Sequence, residues 1–248
     1  MSSYRRGASF SFGGPITPAV KNLIIANMVG LLLQALAPAV TLWFALVPPL
    51  VLPWNFQIWR LVSYMFLHGG LGHLFWNMLA LFIFGCALER SWGTRSFYRY
   101  YFLCGLGGAL LSLIPFGPFW SAPIIGASGA VYGILLAFGV MFPYREILIF
   151  LMFPVQARYV AIVYGFIAFV SALSGGEGVA HIVHLGGFVT GFVLLRWVGL
   201  ARVASLGGGR PFGGSIQDAY RRWKMKRLRK KFESYYDKRS GSGGPPVH

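Results

Sequence analysis

Long runs of apolar residues alternate along the chain with short stretches rich in glycine, proline and charge. A helix of about 20 apolar residues is long enough to cross the hydrocarbon core of a membrane. The pattern therefore predicts an all-α polytopic membrane protein with six spanning helices. The predicted spans are residues 17–36, 71–88, 98–114, 127–142, 157–172 and 179–198.

Two further apolar stretches contain prolines, which interrupt a straight spanning helix. Residues 38–60 carry four prolines and several tryptophans and no charge before Arg60, which predicts a first loop lying in the membrane interface. Residues 147–155 reach Pro154, and we expect a membrane-touching loop there. The chain thus divides into an N-terminal tail (1–17), a six-span domain (18–199) and a C-terminal tail (200–248).

Composition supports the membrane assignment. Of the 248 residues, 56% are hydrophobic and only 11% are charged, whereas soluble domains carry about 25% charged residues. Cys86 and Cys104 lie inside apolar runs, which predicts buried thiols rather than a disulfide or a metal site. No cleavage site of small residues ends the first run, so we interpret it as a retained helix.

The charge distribution predicts the orientation. The formal net charge is +16, of which residues 196–248 contribute +10. If both ends are cytoplasmic, every Lys and Arg except Arg60 falls on the cytoplasmic side, as the positive-inside rule requires. We therefore expect a multi-pass protein of a bacterial cytoplasmic (inner) membrane, with both tails inside and no nucleic-acid partner. Eight basic residues within 221–231, among aromatic ones, predict contact with anionic lipid, or alternatively a solvated stretch that only fixes topology.

Polar residues fall at a similar depth in three spans that enter from the outer side: His73 and Asn77, Ser128, and His181 and His184. Strongly polar residues inside a membrane are costly and indicate function. Asp and Glu are absent from the interiors of the predicted spans, so a Ser-His-Asp triad is excluded there and a Ser-His dyad is not.

Ser128 stands at the start of a span beside Ala127 and Gly129, where the hydroxyl is unobstructed and the backbone N–H groups lack helical partners. This setting suits a nucleophile. Alternatively, Gly129 and Gly133 form only a packing face of small residues.

His184 is followed by Gly187 and Gly191, a spacing that lets the sixth span approach the glycines of the fourth closely and brings His184 toward Ser128. His73 and Asn77 are four residues apart and share one helix face, where they supply the donor types of an oxyanion hole. The alternative for this pair is hydrogen bonding between helices.

Together these motifs resemble the rhomboid family of intramembrane serine proteases over about residues 18–199. The motifs that carry the resemblance are Trp59-Arg60, His68 with His73 and Asn77, Gly126-Ala-Ser-Gly129, Tyr132, and His184 with Gly187 and Gly191. The resemblance implies a six-helix rhomboid-like bundle that cleaves transmembrane segments of other membrane proteins near the outer face, without a cofactor or metal.

The resemblance also implies roles for individual residues. Ser128 corresponds to the nucleophile and His184 to the general base. The oxyanion hole is implied for His73, Asn77 and the backbone around Ala127. Supporting roles are implied for Tyr132, His68, Gly187 and Gly191. Structural roles are implied for Trp59-Arg60 and Glu89-Arg90.

Alternatives remain at three points. His181 competes with His184 as the base, although only His184 has glycines three and seven residues further on. The chain is alternatively an inactive relative that binds membrane proteins, although such relatives lack the serine or the histidine. A metal site or transport pathway is disfavoured because His68 and His73 diverge by about 140° if both lie on one helix and carboxylates are missing. The oligomeric state, the substrate and the cleaved bond stay open.

Overall fold

The computed structural model describes residues 14–53, 55–115, 120–149, 152–173 and 180–197. The helices in these ranges are α1 (Pro18–Leu36), α2 (Ala39–Phe44), α3 (Pro48–Val51), α4 (Arg60–Ser63), α5 (Leu71–Ala80), α6 (Cys86–Trp92), α7 (Thr94–Ser112), α8 (Ser128–Met141), α9 (Ala157–Leu173) and α10 (Ala180–Trp197). A 3₁₀ turn at Tyr64–Phe66 follows α4, and a π-helical segment at Leu81–Gly85 joins α5 to α6. The C-terminal tail lies outside the described residues.

Helices occupy all six ranges for which hydropathy predicts a span. Two of them, α1 and the continuous helix from Leu71 to Trp92, are long and apolar enough to cross a membrane, and α8, α9 and α10 are apolar but shorter. The helix of the third predicted span, α7, begins at Thr94 and not at the predicted residue 98, because it includes Arg95 and Arg99. Hydropathy marks the apolar part of a helix and not its hydrogen-bonded ends.

The proline-rich segment 38–60 contains short helices, and three of its four prolines stand at helix starts, whereas Pro53 lies in the turn after α3. Pro38 caps α2 and Pro48 begins α3, positions where the missing N–H costs nothing. The buried Arg60 side chain holds the segment together, because its guanidinium donates to the carbonyls of Leu42 and Ala45. This arrangement agrees with the structural role that the resemblance implies for Arg60.

The loop predicted for residues 147–155 is instead a β-hairpin. Strand β1 (Glu146–Ile149) pairs antiparallel with β2 (Phe153–Gln156), with Glu146 opposite Gln156 and Ile149 opposite Phe153. A four-residue apolar stretch carries too little periodicity to separate strand from loop. Pro154 fits because each strand of a two-stranded sheet is an edge strand.

Glycines bring α8 and α10 into contact. A Cβ added to Gly187 would overlap the carbonyl oxygen of Gly129, and one added to Gly191 would lie 3.1 Å from the Cα of Gly133. This is the approach that the glycine spacing predicts. The helix α7 packs on the same pair, since a Cβ on its residue Gly108 would lie 2.6 Å from the carbonyl oxygen of Val183 in α10.

Glu89 joins the ends of three helices. Its buried carboxylate accepts hydrogen bonds from the backbone N–H of Ala19 (2.9 Å) and Val20 (3.1 Å) in α1 and from the hydroxyl of Thr94 in α7 (2.7 Å). The carboxylate therefore satisfies amides that the first turn of α1 leaves without helical partners.

Candidate active site

Ser128 is the first residue of α8 and follows a turn held from two sides. Gly126, at φ 126°, adopts a conformation that favours glycine, and its N–H donates to the carbonyl of Tyr64 at 2.9 Å. Two residues earlier, Ile124 exchanges backbone hydrogen bonds of 2.8 and 2.9 Å with Leu46. The segment before α5 thus fixes the turn that carries the serine.

His184 Nε2 lies 2.6 Å from Ser128 Oγ, and this contact joins α10 to α8. The ring of His181 lies edge-on to the ring of His184, with centroids 5.9 Å apart. Of the two candidate bases, His184 is therefore the one at hydrogen-bond distance from the serine. A hydroxyl and an imidazole nitrogen so placed can exchange a proton.

Tyr132, one turn after Ser128, lies flat against His184. The ring centroids are 4.5 Å apart and the planes differ by 7°. The ring of Tyr164 in α9 meets Tyr132 at an angle of 63°, with centroids 6.1 Å apart. The imidazole therefore rests on an aromatic surface that α8 and α9 build together.

His73 in α5 faces the serine turn. Its Nδ1 accepts a hydrogen bond from the N–H of Gly69 at 3.2 Å, so the neutral ring carries its proton on Nε2. A Cβ added to Gly126 would lie 2.9 Å from this Nε2 and 3.6 Å from Ser128 Oγ. The Nε2–H group thus lies close to the nucleophile candidate, and the bare glycine makes room for it.

Asn77 is buried one turn further along α5. Its side-chain amide donates to the carbonyl of His73 at 3.0 Å. An amide nitrogen has two N–H donors, so one remains for another acceptor. His73 and Asn77 lie on the face that their spacing predicts, and Ala127, fully buried, presents the backbone beside the serine.

His68 lies before α5 and not within it, so the divergence of about 140° expected for two residues on one helix does not apply to His68 and His73. The two rings meet edge to face with centroids 4.9 Å apart. Burial, together with the neighbouring His73, lowers the pKa of His68 to about 4. Within the described ranges, no three His, Cys, Asp or Glu side chains are grouped so that they could hold a metal ion.

A sequence model of the Rhomboid domain matches residues 55–201. The chain belongs to the rhomboid family. Rhomboid proteins are helical and integral to the membrane, and the matched region contains every candidate site residue from His68 to Gly191.

Several curated rhomboid proteins are similar to this chain. RHOMBOID-like protein 4 of Arabidopsis thaliana is 36% identical over 55% of the chain, and Rhomboid protease GluP of Bacillus subtilis is 33% identical over 60%. Rhomboid protein 1, mitochondrial, of Saccharomyces cerevisiae is 31% identical over 68%. The aligned regions cover 33%, 28% and 44% of these relatives, so the chain spans less than half of their length.

Two residues near the candidate active site are not marked by any of the sequence motifs. Gln34 in α1 accepts from the backbone N–H of His68 (2.8 Å) and donates to its carbonyl (3.2 Å). Tyr64 supplies the carbonyl that holds Gly126. Gln34 could be recognised from the sequence because it is a polar residue inside a predicted span. The role of Tyr64 could not, because every residue has a backbone carbonyl.

Proposed function

We propose that the chain is an intramembrane serine endopeptidase that cleaves transmembrane segments of other membrane proteins near the outer face of the membrane. The observation that carries this proposal is the 2.6 Å contact between His184 Nε2 and Ser128 Oγ. Membership of the rhomboid family adds support, because one similar relative is named a rhomboid protease.

In this mechanism Ser128 and His184 form a dyad. His184 takes the hydroxyl proton as Ser128 Oγ attacks the carbonyl carbon of the peptide bond, which forms a tetrahedral intermediate with a negatively charged oxygen. His184 then gives the proton to the leaving amine, and an acyl-serine remains. Water, deprotonated by His184, attacks the acyl-serine, and His184 returns the proton to Ser128 Oγ as the second product leaves.

Stabilisation of the charged oxygen falls to donors around the serine. His73 Nε2–H faces Ser128 across Gly126, Asn77 has a second amide N–H, and the backbone N–H groups at the start of α8 lack helical partners. Each such donor contributes most when charge develops on the oxygen. His68 supports His73 through the contact of their rings.

The proposal includes a membrane arrangement and a class of substrate. In the proposed arrangement the chain has six spans with both ends in the cytoplasm, in a bacterial cytoplasmic membrane, and Ser128 lies toward the outer side. A helix within the bilayer satisfies its own carbonyls, so a substrate has to unwind locally before cleavage, and helix-breaking or small residues favour unwinding. Contact of the C-terminal tail with anionic lipid is a separate proposal, tested by whether a peptide of residues 216–239 folds on anionic vesicles.

The second candidate function is that of an inactive rhomboid-like protein that binds membrane proteins without cutting them. The close contact of Ser128 with His184 favours the protease. A metal-dependent function would require that a chelator abolishes activity, and we expect chelators to have no effect.

Labelling by a fluorophosphonate tests the proposal, because this reagent reacts with an activated serine. We expect the full chain in detergent to be labelled, and Ser128→Ala and His184→Ala to lose labelling. The matched control is Ser91→Ala, since the Ser91 hydroxyl donates only to the carbonyl of Ala87 within its own helix at 2.9 Å. An unlabelled wild type, or labelling that survives in Ser128→Ala, would contradict the dyad.

A further inference from the structure

Tyr64 connects three segments around the serine turn. It begins the 3₁₀ turn before α5 and is fully buried. Its hydroxyl donates to the carbonyl of Gly105 in α7 at 2.8 Å, and its backbone carbonyl accepts from Gly126 N–H at 2.9 Å. One residue thus ties the turn before Ser128 to the middle of a packed helix.

The Tyr64 hydroxyl lies next to the first turn of α8. A Cβ added to Gly129, the neighbour of Ser128, would lie 3.4 Å from the hydroxyl oxygen. A Cβ added to Gly105 would overlap the side chain of Met65. The Tyr64 hydroxyl therefore lies beside Gly129, the residue that follows Ser128, and Met65 occupies the space that Gly105 leaves on α7.

The position of Gly126 determines where the backbone N–H groups of the turn point. Gly126 adopts a φ of 126°, a Cβ added to it would lie 2.9 Å from the His73 ring, and its N–H donates to the carbonyl of Tyr64 at 2.9 Å. The amides of Ala127 and Ser128 follow directly. A shift of Tyr64 would move Gly126 and would turn these amides away from a developing oxyanion.

We infer that Tyr64 is a positioning residue for the proposed reaction. Its hydroxyl holds the 3₁₀ turn on α7, and its carbonyl holds the turn that orients the Ala127 and Ser128 amides. This inference rests on the proposed protease function, since positioning matters only if Ser128 reacts. The Tyr64 hydroxyl donates to Gly105 and not to Ser128.

Tyr64→Phe removes the hydroxyl and keeps the ring. The matched control is Tyr101→Phe, because Tyr101 is also fully buried, lies in α7 and packs edge-on against Phe102. In the full chain in detergent, we expect Tyr64→Phe to lower kcat for a transmembrane reporter about tenfold, or about 1.4 kcal/mol, with KM unchanged. Tyr101→Phe keeps its kcat, because the Tyr101 hydroxyl makes no hydrogen bond among the described residues.

Hydrogen–deuterium exchange of residues 124–129 provides a readout that does not depend on activity. We expect about tenfold faster exchange in Tyr64→Phe and no change in Tyr101→Phe. Unchanged exchange in Tyr64→Phe would overturn the inference even if the protein proved inactive, and so would faster exchange with unchanged kcat. A different result is a wild type that does not cleave while exchange changes as expected. That result would overturn the protease proposal, and the inference would fall with it, because Tyr64 would have only a structural role.

Discussion

The ring of His184 lies parallel to the ring of Tyr132, with centroids 4.5 Å apart and a 7° angle between the planes. The Nδ1 atom of His184 is buried and has no hydrogen-bond partner among the described residues. Among the described residues, therefore, no carboxylate orients the imidazole. The imidazole is instead held by packing against the Tyr132 ring, with Nε2 toward Ser128.

Replacement of Tyr132 tests this packing. We expect Tyr132→Phe to retain nearly full activity, because the ring remains, and Tyr132→Leu to lower kcat about tenfold to hundredfold as the imidazole loses its fixed orientation. Steady-state cleavage of a transmembrane reporter measures the effect. Equal activity in the leucine and phenylalanine variants would show that the stacked ring does not orient the base.

Substitution at Gly187 tests the contact of α8 with α10. A methyl group there would overlap the carbonyl oxygen of Gly129, so we expect Gly187→Ala to lower the free energy of unfolding by about 1 to 3 kcal/mol and to suppress serine labelling. The control is Gly72→Ala, because a Cβ on Gly72 meets nothing within 4 Å. Similar stability of the two variants would contradict the close approach of these helices.

Glu89 is expected to contribute to stability rather than to chemistry. Glu89→Ala leaves the N–H groups of Ala19 and Val20 without their acceptor, and we expect a loss of about 3 kcal/mol in unfolding in detergent. Glu146→Ala removes an exposed carboxylate and serves as the control, with a change within about 0.5 kcal/mol. A Glu89→Ala variant as stable as Glu146→Ala would refute the joining of helix ends by this carboxylate.

The low pKa of His68 predicts a loss of stability on acidification. Between about pH 6.5 and about 4 the unfolded chain binds a proton at His68 and the folded chain does not, so stability falls as pH falls. One proton limits the slope to about 1.4 kcal/mol per pH unit. Unfolding of wild type and His68→Gln across this interval measures the difference, and we expect a shallower dependence in the variant. Parallel curves would show that His68 titrates normally.

Much of the helical layout could be predicted from sequence, because a bilayer demands long apolar helices and hydropathy records them. The glycine spacings of α8 and α10 similarly predict a close approach, since only small residues permit it. Where a contact depends on residue type and helical period, as with His73 and Asn77, the sequence is informative.

Other features depend on backbone geometry, which residue types do not record. The strands Glu146–Ile149 and Phe153–Gln156 pair although these short stretches carry no strand period. The contact of His68 with His73 exists because His68 precedes the helix, which periodicity alone does not reveal. Tyr64 binds Gly126 through its backbone carbonyl, which every residue has, so the residue type does not predict this hydrogen bond.

The central claim, that Ser128 and His184 together cleave a peptide bond within the membrane, is tested most directly in reconstituted vesicles. The measurement is cleavage of a transmembrane reporter by the wild type and by Ser128→Ala, His184→Ala and His181→Ala. We predict that the wild type and His181→Ala cleave and that Ser128→Ala and His184→Ala do not. Cleavage by Ser128→Ala would contradict the serine mechanism, and cleavage by His184→Ala with none by His181→Ala would contradict the assignment of the base.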